Sequence, residues 1–149
     1  MARGVWPGRS SDAAAWLTMR NAPWPDGDHP HDEDVRDFLA GTAREPKAVL
    51  VADVDGRLIG FIELLPGPTL RAAHAGCHLP RGLVHRGGAH RGRGIERALV
   101  TAAEAWGRAQ GCTESASDAD PENQPNIAAH LAPGFEDTGM VHCFRKPLA

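Results

Sequence analysis

A chain of 149 residues, 42% hydrophobic and 23% charged, is long enough for one core of its own and has the composition of a soluble globular domain. Its formal net charge of −3 gives no overall attraction to nucleic acid or an anionic membrane, and no run of about 18 apolar residues offers a span. Three cysteines, Cys77, Cys112 and Cys143, are too few for a disulfide framework. With no apolar signal core after Met1-Ala2-Arg3-Gly4, the cytoplasm is the expected compartment.

In chain order, Ser10 or Ser11 is placed to cap a helix through Ala13, Ala14, Trp16, Leu17 and Arg20, which Pro23 and Pro25 end. Asp26-Gly27-Asp28-His29-Pro30 reads as a loop, and a second helix fits Asp32 to about Ala40 with Val35, Phe38 and Leu39 on one face. Ala48–Val54 and Leu58–Leu64 are apolar, β-prone runs joined at Asp55-Gly56, whose tolerance of positive φ marks a two-residue hairpin.

From Ile95, the positions Ile95, Ala98, Leu99, Ala102, Trp106 and Ala109 keep helical spacing, with Glu104 and Arg108 as an i,i+4 pair and Gly111 placed to stop the helix. Cys112–Ser117 predicts a short strand, Asn123 to about Leu131 a short helix interrupted by Pro125, and Met140–Arg145 a last strand. The sum is one mixed α/β domain over 1–149.

Arg91-Gly92-Arg93-Gly94 stands directly before the clearest of these helices. Glycine lets backbone N–H groups approach a ligand closely, a helix N-terminus carries partial positive charge, and arginines pair with phosphate oxygens from the side. The pattern suggests a phosphate or pyrophosphate, and hence a nucleotide-bearing cofactor.

These segments together resemble the GNAT superfamily of acetyl-CoA-dependent N-acetyltransferases, and more narrowly the aminoglycoside 6′-N-acetyltransferases. Arg91-Gly92-Arg93-Gly94-Ile95-Glu96 matches the superfamily's Arg/Gln-x-x-Gly-x-Gly/Ala pyrophosphate loop except at Glu96, where a small residue is usual. Trp16-Leu17-Thr18-Met19-Arg20 with Trp24-Pro25-Asp26 resembles the substrate-side helix and loop of those enzymes. Ala105-Trp106 through Asp118-Ala119 resembles their long helix and following strand, and Gly134-Phe135-Glu136-Asp137-Thr138-Gly139 with Cys143-Phe144-Arg145-Lys146 their C-terminal strand.

The resemblance implies a mixed, mostly antiparallel twisted sheet flanked by helices. It implies direct acetyl transfer from acetyl-CoA to an amine, with no metal and no acyl-enzyme. It assigns Arg91, Gly92, Arg93, Gly94 and Asn123 to the CoA, and Trp24, Asp26, Asp118 and Glu136 to a polycationic aminoglycoside. Asp118 would also help deprotonate the 6′-amine. His130 stands where many superfamily members carry a tyrosine near the leaving sulfur and would be the general acid. Homodimers are common among the relatives.

Between Leu64 and Ile95 the pattern fails. No Asp or Glu occurs there, while Arg71, Arg81, Arg86, Arg91, Arg93 and four histidines do, and Pro66, Pro68 and Pro80 with five glycines before His90 oppose a long strand. The family's fourth strand, with the bulge whose N–H meets the thioester carbonyl, belongs in this stretch. Leu79 through Ala89, given codons those residues allow and read one base later, yields YLEGWFIAEEH, a family-like segment. His74–His78 can likewise yield TPVAT, and Gly67–Ala72, read one base earlier with the last base of Pro66, RPYAEGC. Residues from about Leu65 to Ala89 are therefore expected to be abnormal, as a stretch translated out of frame.

Other readings stand beside this one. The chain could be a degenerate homologue that at most binds CoA. His74, Cys77, His78, His85 and His90 could hold zinc, though their spacing fits no standard site, and the basic stretch 71–93 could bind nucleic acid, though it lacks interleaved aromatics.

Overall fold

The computed structural model describes residues 3–21, 31–44, 46–65, 79–80, 84–85, 94–112, 115, 121–122, 124–140, 142 and 144–147. They fall into two units, Met1–Ser117 and Asp118–Ala149.

The first unit is built on an antiparallel sheet of β1 (Arg3–Pro7), β2 (Ala48–Val54), β3 (Arg57–Leu65) and two short pieces, β4 (Leu79–Pro80) and β5 (Val84–His85), both paired with β3. The β2–β3 hairpin forms as its sequence predicts. Asp55 and Gly56 both have positive φ, 52° and 80°, matching the twist of the strands they join. β1 has no counterpart among the predicted elements, because its stretch holds only Val5 and Trp6 as strand formers between Gly4 and Pro7.

The sheet is covered on both faces. Leu50, Ala52, Val54, Ile59, Ile62 and Leu64 form one core with Ile95, Leu99 and Ala103 of α3 (Ile95–Ala109). Val49, Val51 and Phe61 form the other with Trp16 and Met19 of α1 (Ala13–Asn21) and Val35 of α2 (His31–Ala40). A register shift at Ala52/Asp53 sets Ile59 as an extra residue in β3. The extra residue restores Ile59, Ile62 and Leu64 to one face despite their uneven spacing. Burial on both sides explains why β2 reads as an apolar run from Ala48 to Ala52, with Asp53 its one charged residue.

The entry to α1 differs from the predicted serine cap. A 3-10 turn, Ser10–Asp12, precedes it, and the Arg9 N–H donates to Asp12 Oδ2 at 2.9 Å, so the aspartate does the capping. α3 starts and stops where its sequence predicts. The Cys112 N–H donates to the Gly107 carbonyl at 2.9 Å and the Gly111 N–H to that of Arg108 at 3.0 Å, the paired bonds of a Schellman ending. Glu104 and Arg108 pair at 3.6 Å on its surface, while Ala98 and Ala109 prove exposed, and Val100 and Gly107 are buried instead.

In the segment expected to be abnormal, pairing is seen among the described residues at four positions. Leu64 and Leu65 pair with Pro80 and Leu79, and Gly60 and Phe61 with His85 and Val84. Four steps of sequence from Pro80 to Val84 oppose three from Phe61 to Leu64, so the two pairings are out of register by one residue.

In the second unit, α4 (Gln124–Leu131) is continuous. Pro125 lies in its first turn, where a missing N–H breaks no helical bond, so it does not interrupt the helix. The predicted strand at Met140–Arg145 is absent among the described residues, whose exposed Met140, His142, Phe144 and Arg145 have no ladder partner there. Of the strand predicted at Cys112–Ser117, Cys112 and Ser115 carry no ladder, and the rest lies outside the described residues.

Candidate functional site

Two features of the first unit carry chemistry. The first is the N-terminus of α3. Gly94 caps it with φ 77° and ψ 19°, a left-handed conformation that a side chain makes costly, and among the described residues beyond its chain neighbours no atom lies within 4 Å of where a Cβ would project. The Ala98 N–H donates to the Gly94 carbonyl at 2.9 Å. The first amides of an α-helix have no acceptor within it and point along the axis toward an incoming anion. Fifteen residues of aligned peptide dipoles stand behind them. An exposed, left-handed Gly94 at a helix N-terminus fits a pyrophosphate. Glu96 lies half-buried in the first turn, at the position where the superfamily prefers a small residue.

The second is a buried ionic cluster that the sequence reading missed. Glu63, on the α1/α2 face of β3, is 4% exposed. It accepts from Trp16 Nε1 at 3.2 Å and pairs with Arg20 Nε at 2.8 Å, with Arg20 Nη2 at 3.5 Å from its second oxygen. Arg20 Nη1 also binds Asp34 Oδ2 and lies 3.2 Å from His31 Nδ1. A guanidinium can only donate, so a hydrogen bond at this contact has His31 Nδ1 as its acceptor. Burial pushes the Glu63 carboxyl above its ordinary value; the Arg20 charge and the Trp16 and Arg20 hydrogen bonds oppose this, and the Asp34 charge adds to it.

A signal for this cluster was present. Glu63 is the one acid within the otherwise apolar run Leu58–Leu64, and a buried carboxylate requires a partner. Arg20, four residues after Trp16 on α1, lies on the same helix face.

In the second unit His130 occupies the last turn of α4, half-buried, with its ring edge-on to Phe135 at 5.6 Å. Glu136 is exposed on the following segment. Of the other candidates, Trp24, Asp26, Arg91, Gly92, Arg93, Asp118 and Asn123 lie outside the described residues, as do His74, Cys77, His78 and His90 of the zinc alternative. No group of three or more metal-binding side chains occurs among the described residues, and none of their helices is long and apolar enough to cross a membrane.

The acetyltransferase (GNAT) family profile matches residues 13–135. The chain is 42% identical over 148 residues to an aminoglycoside N(6′)-acetyltransferase type 1 of Klebsiella aerogenes, covering 97% of this chain and 96% of the relative. Its fold superposes with a TM-score of 0.88 on AAC(6′)-Iy bound to the bisubstrate analogue CoA-S-monomethyl-acetylneamine, at 28% identity, covering 99% of this chain and 100% of that one. The aminoglycoside 6′-N-acetyltransferase AAC(6′)-Ih from Acinetobacter baumannii matches with a TM-score of 0.87 and the same identity and coverage. A helix opening on a left-handed glycine, a sheet packed on both faces and this full-length likeness agree, and the chain belongs to the acetyltransferase (GNAT) family, among relatives that are aminoglycoside N(6′)-acetyltransferases.

Proposed function

We propose that this chain transfers the acetyl group of acetyl-CoA to the 6′-amine of an aminoglycoside, and so confers resistance to that antibiotic class. The observation that carries the reading is 42% identity to an aminoglycoside N(6′)-acetyltransferase along nearly the whole of both chains. The fold match to an enzyme holding a CoA–aminoglycoside bisubstrate analogue supports it.

The chemistry asks little of the protein. The neutral 6′-amine attacks the thioester carbonyl carbon, the C–N bond forms as the C–S bond breaks, and the amine's proton is lost while the departing thiolate gains one. The left-handed Gly94 and the first amides of α3, with Arg91, Gly92 and Arg93, hold the pyrophosphate of the cosubstrate, and Asn123 adds a contact to it. Trp24, Asp26, Asp118 and Glu136 provide the aromatic surface and carboxylates that a polycationic sugar needs. Asp118 takes part in removing the amine proton, and His130 protonates the thiolate.

The family match over 13–135 runs through both units, which supports a single acetyltransferase domain over 1–149. Met140 and Phe144, 80% and 95% exposed, are large apolar side chains that a second copy would cover; a homodimer is the proposed assembly, and sedimentation velocity tests it directly. The cytoplasm, where acetyl-CoA is available, is the working compartment. A free-thiol assay with acetyl-CoA and kanamycin or tobramycin tests the activity. Thiol release that depends on the antibiotic is the expected result.

A further inference from the structure

The helix whose first amides are open to an anion carries an anion of its own in that turn. The Ala98 N–H is bonded to the Gly94 carbonyl, so the N–H groups of Ile95, Glu96 and Arg97 precede the first bond of α3 and have no acceptor within it. Gly94 has no side chain with which to cap them. Glu96 is the one acid of that first turn.

The helix also sets which way Glu96 leans. Val100, Ala103 and Gly107, at four, seven and eleven residues beyond it, are all buried, so Glu96 heads a stripe of α3 that faces the protein. A Cα–Cβ bond in an α-helix tilts toward the N-terminus, and a long side chain covers the turn before its own Cα. The Glu96 side chain is accordingly directed back toward Gly94, and it is half-buried. An acid on the outer stripe, where Arg97, Thr101 and Arg108 are exposed, would be screened by water. Glu96 is screened less. The helix field attracts a carboxylate and a pyrophosphate by the same means, and a carboxylate already in it repels the incoming charge.

We infer that Glu96 sets the affinity of the cosubstrate site: it is an internal anion that stabilises the start of α3 in the empty protein and weakens the binding of the pyrophosphate. The inference deepens the acetyl-transfer reading and rests on it for the identity of the incoming anion. Acetyl-CoA and the product CoA carry the same pyrophosphate, so the binding of both is weakened alike.

Isothermal titration calorimetry of the full chain with CoA tests this without turnover. Glu96→Gln removes the charge and keeps the length, and Glu96→Asp keeps the charge. Glu96→Gln is expected to bind CoA about tenfold more tightly than the wild type at about 50 mM salt, and the gain should shrink to about threefold at about 500 mM as screening grows. Its KM for acetyl-CoA should fall in parallel, while that for tobramycin stays within about twofold. Glu96→Asp should bind CoA within about twofold of the wild type. Without ligand, the melting temperature of Glu96→Gln should be at or below that of the wild type, because the acid favours the helix end. A higher melting temperature overturns the stabilising role of Glu96. An equal gain in affinity for Glu96→Asp overturns the electrostatic account and assigns the effect to side-chain bulk. CoA binding by the wild type with no gain in Glu96→Gln overturns the inference alone. CoA binding by neither protein defeats the acetyl-CoA reading and the inference together.

Discussion

Arg20 Nε lies 2.8 Å from Glu63 Oε1, joining the end of α1 to the middle of the sheet with side chains only 13% and 5% exposed. Because burial raises the Glu63 carboxyl above its ordinary value of 4.5, the folded protein holds that proton more tightly than the unfolded chain does. The stability this provides is complete below the unfolded value and is lost as pH rises through the folded one. Glu63→Gln has no such proton to lose. Its stability relative to the wild type should therefore increase as pH is raised from 4 to 7 in urea titrations. A constant difference would show that Arg20 fully offsets the cost of burial.

Glu63→Ala is a different experiment. It leaves the Arg20 guanidinium, 13% exposed, with Asp34 as its one carboxylate among these contacts and His31 beside it, and opens a cavity next to Trp16. A loss of about 3 kcal/mol in unfolding free energy is expected at neutral pH, as for removal of one partner of a buried pair.

Gly94→Ala places a Cβ on a residue with φ 77°, where the space is open but the conformation is unfavourable. A destabilisation of about 1 kcal/mol follows from the left-handed backbone. The same strain misdirects the first amides of α3, so the KM for acetyl-CoA should rise with little change in kcat, the signature of lost uniform binding. Steady-state kinetics at saturating tobramycin, with thermal unfolding alongside, separate the two effects.

The elements whose hydrophobic period and end signals agreed were legible from sequence. α3 has both a helical apolar stripe and Gly111 beyond its end, and the β2–β3 hairpin has two apolar runs around Asp55-Gly56. β1 was hidden because an edge strand with Gly4 and Pro7 owes its existence to pairing with β2, a long-range contact. The Glu63 cluster was hidden for a related reason. Its hydrogen-bonded pairs lie 11 to 47 residues apart, and no local pattern reports that Trp16, Arg20, Asp34 and Glu63 meet. Family likeness supplied the remaining candidates, and of these only Gly94, His130 and Glu136 fall among the described residues.

Asp118→Asn and His130→Gln separate the two proposed proton transfers. Each should lower kcat about 100-fold if its group moves a proton in the rate-limiting step. An unchanged kcat in His130→Gln would assign that ring to packing against Phe135, 5.6 Å away.

Replacing Leu79 through Ala89 with YLEGWFIAEEH, the segment read one base later, should strengthen the pairing with β3, which among the described residues involves Leu79, Pro80, Val84 and His85. A rise in melting temperature and in kcat/KM is expected if that stretch is out of frame. The nucleotide sequence over residues 65–89 provides an independent check, since the idea allows only a restricted set of codons there.

Product analysis tests the central claim most directly. Purified protein is incubated with acetyl-CoA and tobramycin, free thiol is followed over time, and the antibiotic is analysed by mass spectrometry and NMR. The account predicts one thiol released per acetyl group gained, with the acetyl on the 6′-nitrogen. Thiol release without an acetylated antibiotic, acetylation at another nitrogen, or no release at all would contradict it.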